Sequence, residues 1–167
     1  MTTSGSEPTS AGRRLRDTEL AFVREARVGR LATVDARNRP SVVPFCYAVP
    51  GGNDQGEPVV VSVLDEKPKR VSDRELARVR NIRANPAVSF VVDQYDDDDW
   101  SRLAFVQVRG RATAIEPGAA LHDRAIAALR EKYPQYRTMA IEDRPVIVIT
   151  DLRGNSWRGD GEPFGEP

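Results

Sequence analysis

Lys67, Lys69 and Arg70 follow the apolar run Pro58–Leu64, and Arg74, Arg78, Arg80 and Arg83 follow in a segment of helical period. Phosphate recognition calls for such cations, because a planar guanidinium offers two parallel donors to a pair of anionic oxygens. Arg78 and Arg80 fall on opposite flanks of a Leu76/Val79/Ile82 stripe, so each emerges at an edge of the buried seam. A solvated charged helix, with Asp73 and Glu75 as local partners, is the bland reading of the same residues.

Val43-Pro44-Phe45-Cys46-Tyr47 is the second candidate. Proline within a strand is confined to edges or interruptions of the ladder, which leaves room for a flat ligand against exposed backbone. Alternation puts Phe45 and Tyr47 on one face and Pro44 and Cys46 on the other. An ordinary strand with an edge proline is the competing reading, and Cys46 fits a small buried hydrophobe.

Other chemistry is thinly supplied. Asp96-Asp97-Asp98-Asp99 lacks the alternation and glycine of a calcium loop. His122 is the only histidine and is expected on the polar side of its helix near Asp123, so no metal site is expected and triad mechanisms have little to rest on. No GxGxxG or P-loop pattern occurs. So little acid–base apparatus suits a protein whose reactivity comes from a bound cofactor, and equally one that catalyses nothing.

Positioning these residues requires a framework. A helix is expected from Asp17 or Thr18, with Leu20, Val23 and Ala26 on one face and Gly29 as its stop. Strands are expected at Arg30–Val34, Ser41–Val49 and Pro58–Leu64, joined as an antiparallel meander. Ser72-Asp73-Arg74-Glu75 is a capping box that opens a helix ended by Asn85-Pro86. Ala87–Val92 and Leu103–Ile115 follow as strands, the latter with a bulge or sharp bend at Gly110. A helix carrying Leu121, Ala125, Ala128 and Leu129 then leads to a last strand, Pro145–Thr150. The sum is mainly β with helical inserts: six antiparallel strands in a closed or nearly closed barrel.

The chain has 167 residues and a formal net charge of zero, from 25 basic and 25 acidic side chains. Without a basic excess, neither a nucleic-acid nor a membrane partner is expected. One cysteine and no apolar run long enough to span a bilayer point to a cytoplasmic protein. Residues 1–16 and 158–167 read as a flexible lead-in and tail around one domain, 17–157.

In order and spacing, Val28–Val34, Arg39–Pro44, Arg78–Ile82 with Asn85–Val88, and Asp99–Ser101 through Val108–Ala112 resemble the pyridoxamine 5′-phosphate oxidase-like superfamily. Within it they are similar to the actinobacterial group of enzymes dependent on the deazaflavin coenzyme F420. The resemblance implies a six-stranded split barrel that dimerises with itself and holds a cofactor in grooves lined by both subunits. It implies hydride transfer to or from an unsaturated small-molecule substrate; the alternatives are a flavin mononucleotide oxidase or reductase and a non-catalytic binder. By position, Val61, Ser62, Val63, Arg78 and Arg80 would meet the phosphate-bearing tail, with Lys67 and Lys69 in an extended loop as further candidates. Val43, Pro44 and Phe45 would lie against the ring system, and Trp157 would reach in from the partner subunit. Tyr47 or solvent would supply the proton.

Overall fold

The computed structural model describes residues 12–64 and 72–164, with the side chains of 72–76 outside the description. Its elements are β1 (Arg13–Arg14), α1 (Asp17–Glu25), β2 (Gly29–Val34), β3 (Pro40–Phe45), β4 (Val60–Val63), α2 (Ser72–Ala84), β5 (Ala87–Gln94), β6 (Ala104–Ile115), α3 (Ala120–Lys132) and β7 (Val146–Arg158). Every ladder is antiparallel, in the order β1-β7-β6-β5-β2-β3, and β4 joins by pairing with β7. The six expected strands are present, together with the two-residue β1.

The expected meander stops after two strands. β3 pairs with β2 alone, whereas β4 lies along the first part of β7 (Val60↔Ile149 to Val63↔Val146). Burial explains the choice, since all four side chains of β4 are buried and an edge position beside β3 would leave one row facing water. A single bridge, Ala48↔Val61, spans the gap, so the barrel is split there. β3 also ends at Phe45, earlier than expected, because the chain beyond is held by a side chain. Tyr133 Oη accepts the Tyr47 N–H at 3.0 Å and lies 2.8 Å from the carbonyl oxygens of Tyr47 and Arg27.

β7 runs on past Thr150 and pairs with β6 along its whole length. It bends at Asp151, whose φ is 50°, opposite a register shift between Arg109 and Arg111 on β6. The bulge or sharp bend expected at Gly110 falls on the facing strand, where Asp151 and Leu152 of β7 stand opposite the one glycine. A Cβ there would sit 2.6 Å from Thr150 O and 2.7 Å from Ile149 Cγ2, so only glycine fits. Gly29, expected to stop α1, instead begins β2; a Cβ would lie 2.6 Å from Phe45 Cε1.

One buried cluster fills the barrel, with Leu31, Phe45, Tyr47, Phe90, Val106, Val108 and Ile149 among its members. A second lies between α3 and the β4/β7 pair. His122 belongs to that buried face of α3 and not to its polar side: Nε2 is 2.8 Å from Arg144 O, and the ring is 1% exposed. The expected lead-in and tail both touch the body, β1 through Arg13↔Gly154 and Arg14↔Arg153, and Phe164 through an edge-to-face contact with Phe22.

Glu19 fastens this end. It is wholly buried, yet its carboxylate takes hydrogen bonds from Arg13, from Arg16 N at 2.8 Å and from Ser156 Oγ at 2.5 Å. Burial pushes the carboxyl up; the donors from Arg13, Ser156 and Arg16 outweigh it and hold it at about 2. A carboxyl titrating lower when folded contributes stability that is complete above the unfolded value near 4.5 and lost as pH falls through about 2. The shift corresponds to about 3 kcal/mol. Urea unfolding as a function of pH should show that acid limb, and Glu19→Gln should flatten it while lowering stability at pH 7 by about 2–3 kcal/mol.

Candidate functional site

The largest concavity that carries candidate residues lies between the β2–β3 hairpin and the second half of α2. Asp35, Arg37, Arg39, Ser41, Arg80 and Asn81 are among its lining, around 740 Å³. The hairpin turn is tight, with Asn38 at a φ of 60° and its N–H donating to Asp35 O at 2.9 Å. Asn81 Nδ2 donates to the buried Thr33 hydroxyl at 3.1 Å, which pins α2 against β2 and fixes the cleft's width.

The cleft is basic. Asp35 accepts from Arg39 N at 2.9 Å, from the Arg39 guanidinium at 2.7 Å and from Arg37 N at 2.8 Å. These donors, Arg39's backbone and side chain foremost, hold the carboxyl down at about 2. Asp35 is thus a fixed partner for Arg39. Arg37 and Arg80 are exposed cations facing the same space, with the Ser41 hydroxyl on its floor. Among the described residues three arginines stand against one carboxylate, which suits a phosphate-bearing group.

The expected site residues fall into separate places. Arg80 lines the cleft; Arg78, two residues earlier, is half-buried. Val43 and Pro44 lie on edge strand β3, which leads out of the cleft from Pro40 and Ser41, and Pro44 is exposed. Phe45 points inward, its ring stacked on Tyr47 at 5.0 Å and edge-on to Phe90 at 5.6 Å, so only its backbone is available to a ligand. Val61, Ser62 and Val63 are buried in β4, and the Ser62 hydroxyl donates to Cys46 O at 2.7 Å. Lys67 and Lys69 lie outside the described residues. Trp157, at the end of β7, stacks on Phe105 at 6.1 Å and is 49% exposed.

Arg37, Arg39, Ser41 and Asn81 were not singled out by the sequence. Three closely spaced polar and charged residues, Arg37-Asn38-Arg39, look like any hairpin turn until the hairpin is folded over a second basic element.

The strongly perturbed groups lie elsewhere, in one knot. Burial, then Tyr133, raises the Tyr47 phenol, which is inaccessible and donates to Val23 O. Burial pushes Tyr133 up to about 12, and burial, then Arg27, pushes Lys132 down to about 8. Lys132 Nζ donates to Ala26 O at 2.7 Å and sits 4.2 Å from the Tyr47 ring centroid. This knot joins the α1–β2 turn, the segment after β3 and the end of α3. Tyr47 therefore has no proton to offer a ligand. Among the described residues no three His, Cys, Asp or Glu side chains converge as metal ligands, and no helix is long and apolar enough to cross a membrane.

Comparison with known proteins places this geometry. The chain is 26% identical over 135 residues, 79% of each protein, to the 5a,11a-dehydrotetracycline/5a,11a-dehydrooxytetracycline reductase of Streptomyces rimosus. Its fold is similar to a conserved hypothetical protein of Mycobacterium tuberculosis, with a TM-score of 0.61, 26% identity and coverage of 95% and 94% of the two chains. It also resembles an FAD-binding protein of Mesorhizobium loti, with a TM-score of 0.53, 25% identity and coverage of 87% and 97%. The model of the pyridoxamine 5′-phosphate oxidase family matches residues 15–158, which takes in the six strands β2 to β7, and the chain belongs to that family.

Proposed function

We propose that this protein is an oxidoreductase that binds the deazaflavin coenzyme F420 and moves a hydride between it and an unsaturated organic substrate. The observation that carries the reading is the basic cleft of Arg37, Arg39 and Arg80 opening onto edge strand β3. The reductase relative supports the reaction class. A deazaflavin supplies two-electron hydride chemistry at a ring carbon when bound. The chain's own residues have simpler tasks. Arg37 and Arg80 hold the phosphate-bearing tail, Asp35 keeps Arg39 in place, and Asn81 keeps α2 from opening the cleft. Val43 and Pro44 give the ring a surface to lie on, and Pro44 adds no N–H there to compete for it. Such positioning suffices for hydride transfer, which needs a close and aligned approach more than an acid or base. With Tyr47 locked in the core, the proton comes from solvent.

A flavin mononucleotide enzyme on the same barrel is the second reading, favoured by the similarity to an FAD-binding protein. In both readings the working unit is a homodimer. The outer face of the sheet supports it: Trp157, Phe105, Gln107, Val91, Pro44 and Val42 share that face by strand alternation, and Val42 is 63% exposed. A second copy on this face would bring its Trp157 toward β3 and shield the cofactor from water. The single thiol, Cys46, fits a reducing cytosol.

Fluorescence titration of the purified protein with oxidised and reduced F420 and with flavin mononucleotide tests the cofactor. Saturable F420 binding is expected; binding of flavin mononucleotide alone would select the second reading, and binding of neither would end both. Arg80→Ala should weaken F420 binding by about 1.5–3 kcal/mol, the worth of a charge-assisted contact. Turnover with no acceptor in a broad panel, despite tight binding, would reduce the protein to a carrier. Light scattering should give twice the 18.5 kDa chain mass, falling to 18.5 kDa with Val42→Asp. An unchanged mass in that variant would remove β3's outer face from the interface.

A further inference from the structure

β6 outlasts its neighbour. Its last partner on β5 is Ala87, opposite Arg111, whereas the ladder to β7 continues through Ile115↔Val146. Among the described residues Thr113–Ile115 therefore has a strand on one side only, an open edge of about 10 Å at ~3.3 Å per residue. Its polarity is fixed by the Ala112 N–H, which turns away from β7 and donates to Pro86 O at 2.8 Å. Since alternate residues address opposite neighbours, Ala114 also presents its N–H and C=O to the open side, while Thr113 addresses β7.

The edge faces a groove of about 520 Å³ whose opposite wall is the end of α2. Pro86 and Ala114 give it apolar surface above the buried Ile82 and Ala112, and Thr113 and Thr150 complete its lining. Arg83 and Arg111 flank it. Among the described residues no carboxylate lines the groove and neither arginine has an ion-pair partner. The groove is distinct from the Arg37/Arg80 cleft, although α2 borders both.

We infer that this groove receives an extended, acidic peptide segment of a partner protein, which adds a short strand to β6. Three features meet that occupant and no smaller one. The Ala114 backbone recognises a peptide in strand conformation, the wall of Pro86 and Ala114 takes an apolar side chain, and Arg83 and Arg111 take carboxylates. A lone anion would use the arginines and leave the edge unpaired. The two arginines also deter a second copy of the edge, since two such edges would bring four cations together.

The probe is a fluorescein-labelled peptide of alternating valine and threonine ending in two glutamates, followed by anisotropy with the full chain. Saturable binding is expected, weakened about tenfold or more when the glutamates are replaced by lysines or when the valines are N-methylated. Arg83→Ala/Arg111→Ala should reproduce the charge loss. Because that variant may be compared only if its circular dichroism is unchanged, the two altered peptides against the unaltered protein decide the matter alone. No saturable binding, equal binding of the lysine peptide, or equal binding of the N-methylated peptide would each overturn the proposal. Full displacement of the probe by succinate at millimolar concentration would overturn it in favour of a simple anion site.

Discussion

Everything in this molecule depends on one long strand being allowed to bend. β7 borders β6 throughout, β4 along its first half and β1 along its second. A straight thirteen-residue strand could not serve partners that curve around a barrel, because twist accumulates along the ladder. The bend at Asp151 and the bulge opposite Gly110 act as one device. β7 carries both the extra residue and the left-handed angle, with Asp151 and Leu152 opposite the single Gly110, and the missing Cβ of Gly110 lets Thr150 O and Ile149 approach. The split lies on the other edge of β4, where the chain leaving β3 makes one bridge, Ala48↔Val61, in place of a ladder.

Two polar fastenings hold the ends that the bend leaves apart. Glu19 ties β1, α1 and the far end of β7; Tyr133 ties the α1–β2 turn to the chain leaving β3. Both bury a group that water would otherwise satisfy, and both do so only because several partners are supplied at once. The consequence for function is indirect but definite. With Tyr47 and its neighbours consumed in the core, charge is left to the outward sides of the hairpin and of α2, whose inward sides carry Thr33, Val79 and Ile82 into the fold.

Much of the framework was legible in residue types. The proline stops, the glycine inside an apolar strand and the capped helix are local signals, and α2, β5, β6 and the bulge fall where those signals lie. What the sequence hid is non-local. Alternation shows that β4 is buried but not by which partner, and nothing after Thr150 looks like a strand, because Arg153-Gly154 is held by pairing on both sides, and Asn155-Ser156-Trp157-Arg158 by β6, rather than by their own preferences. His122 was misplaced for a related reason: the buried stripe of α3 is His122, Ala125, Ile126 and Leu129, at helical spacing, and a polar type at its first position disguised the phase. In the cleft, Arg80 could be read from the helix, but Arg37 gains meaning only when the hairpin folds beside it.

A site that binds by charge on one wall and by strand edge on the other places its specificity in different residues from its affinity. Arg37 and Arg80 would attract any group with phosphate, whatever ring it carries. In the proposed complex discrimination would come from the surface beneath the ring, where β3 offers the Val43 and Pro44 side chains, which make no hydrogen bonds. A ring recognised by shape and exclusion of water, rather than by donors and acceptors, tolerates the exchange of one flavin-like cofactor for another with few changes in the chain. That is a physical reason for one barrel to serve related redox groups, and it locates the choice between them at the lip of β3 and the face that covers it.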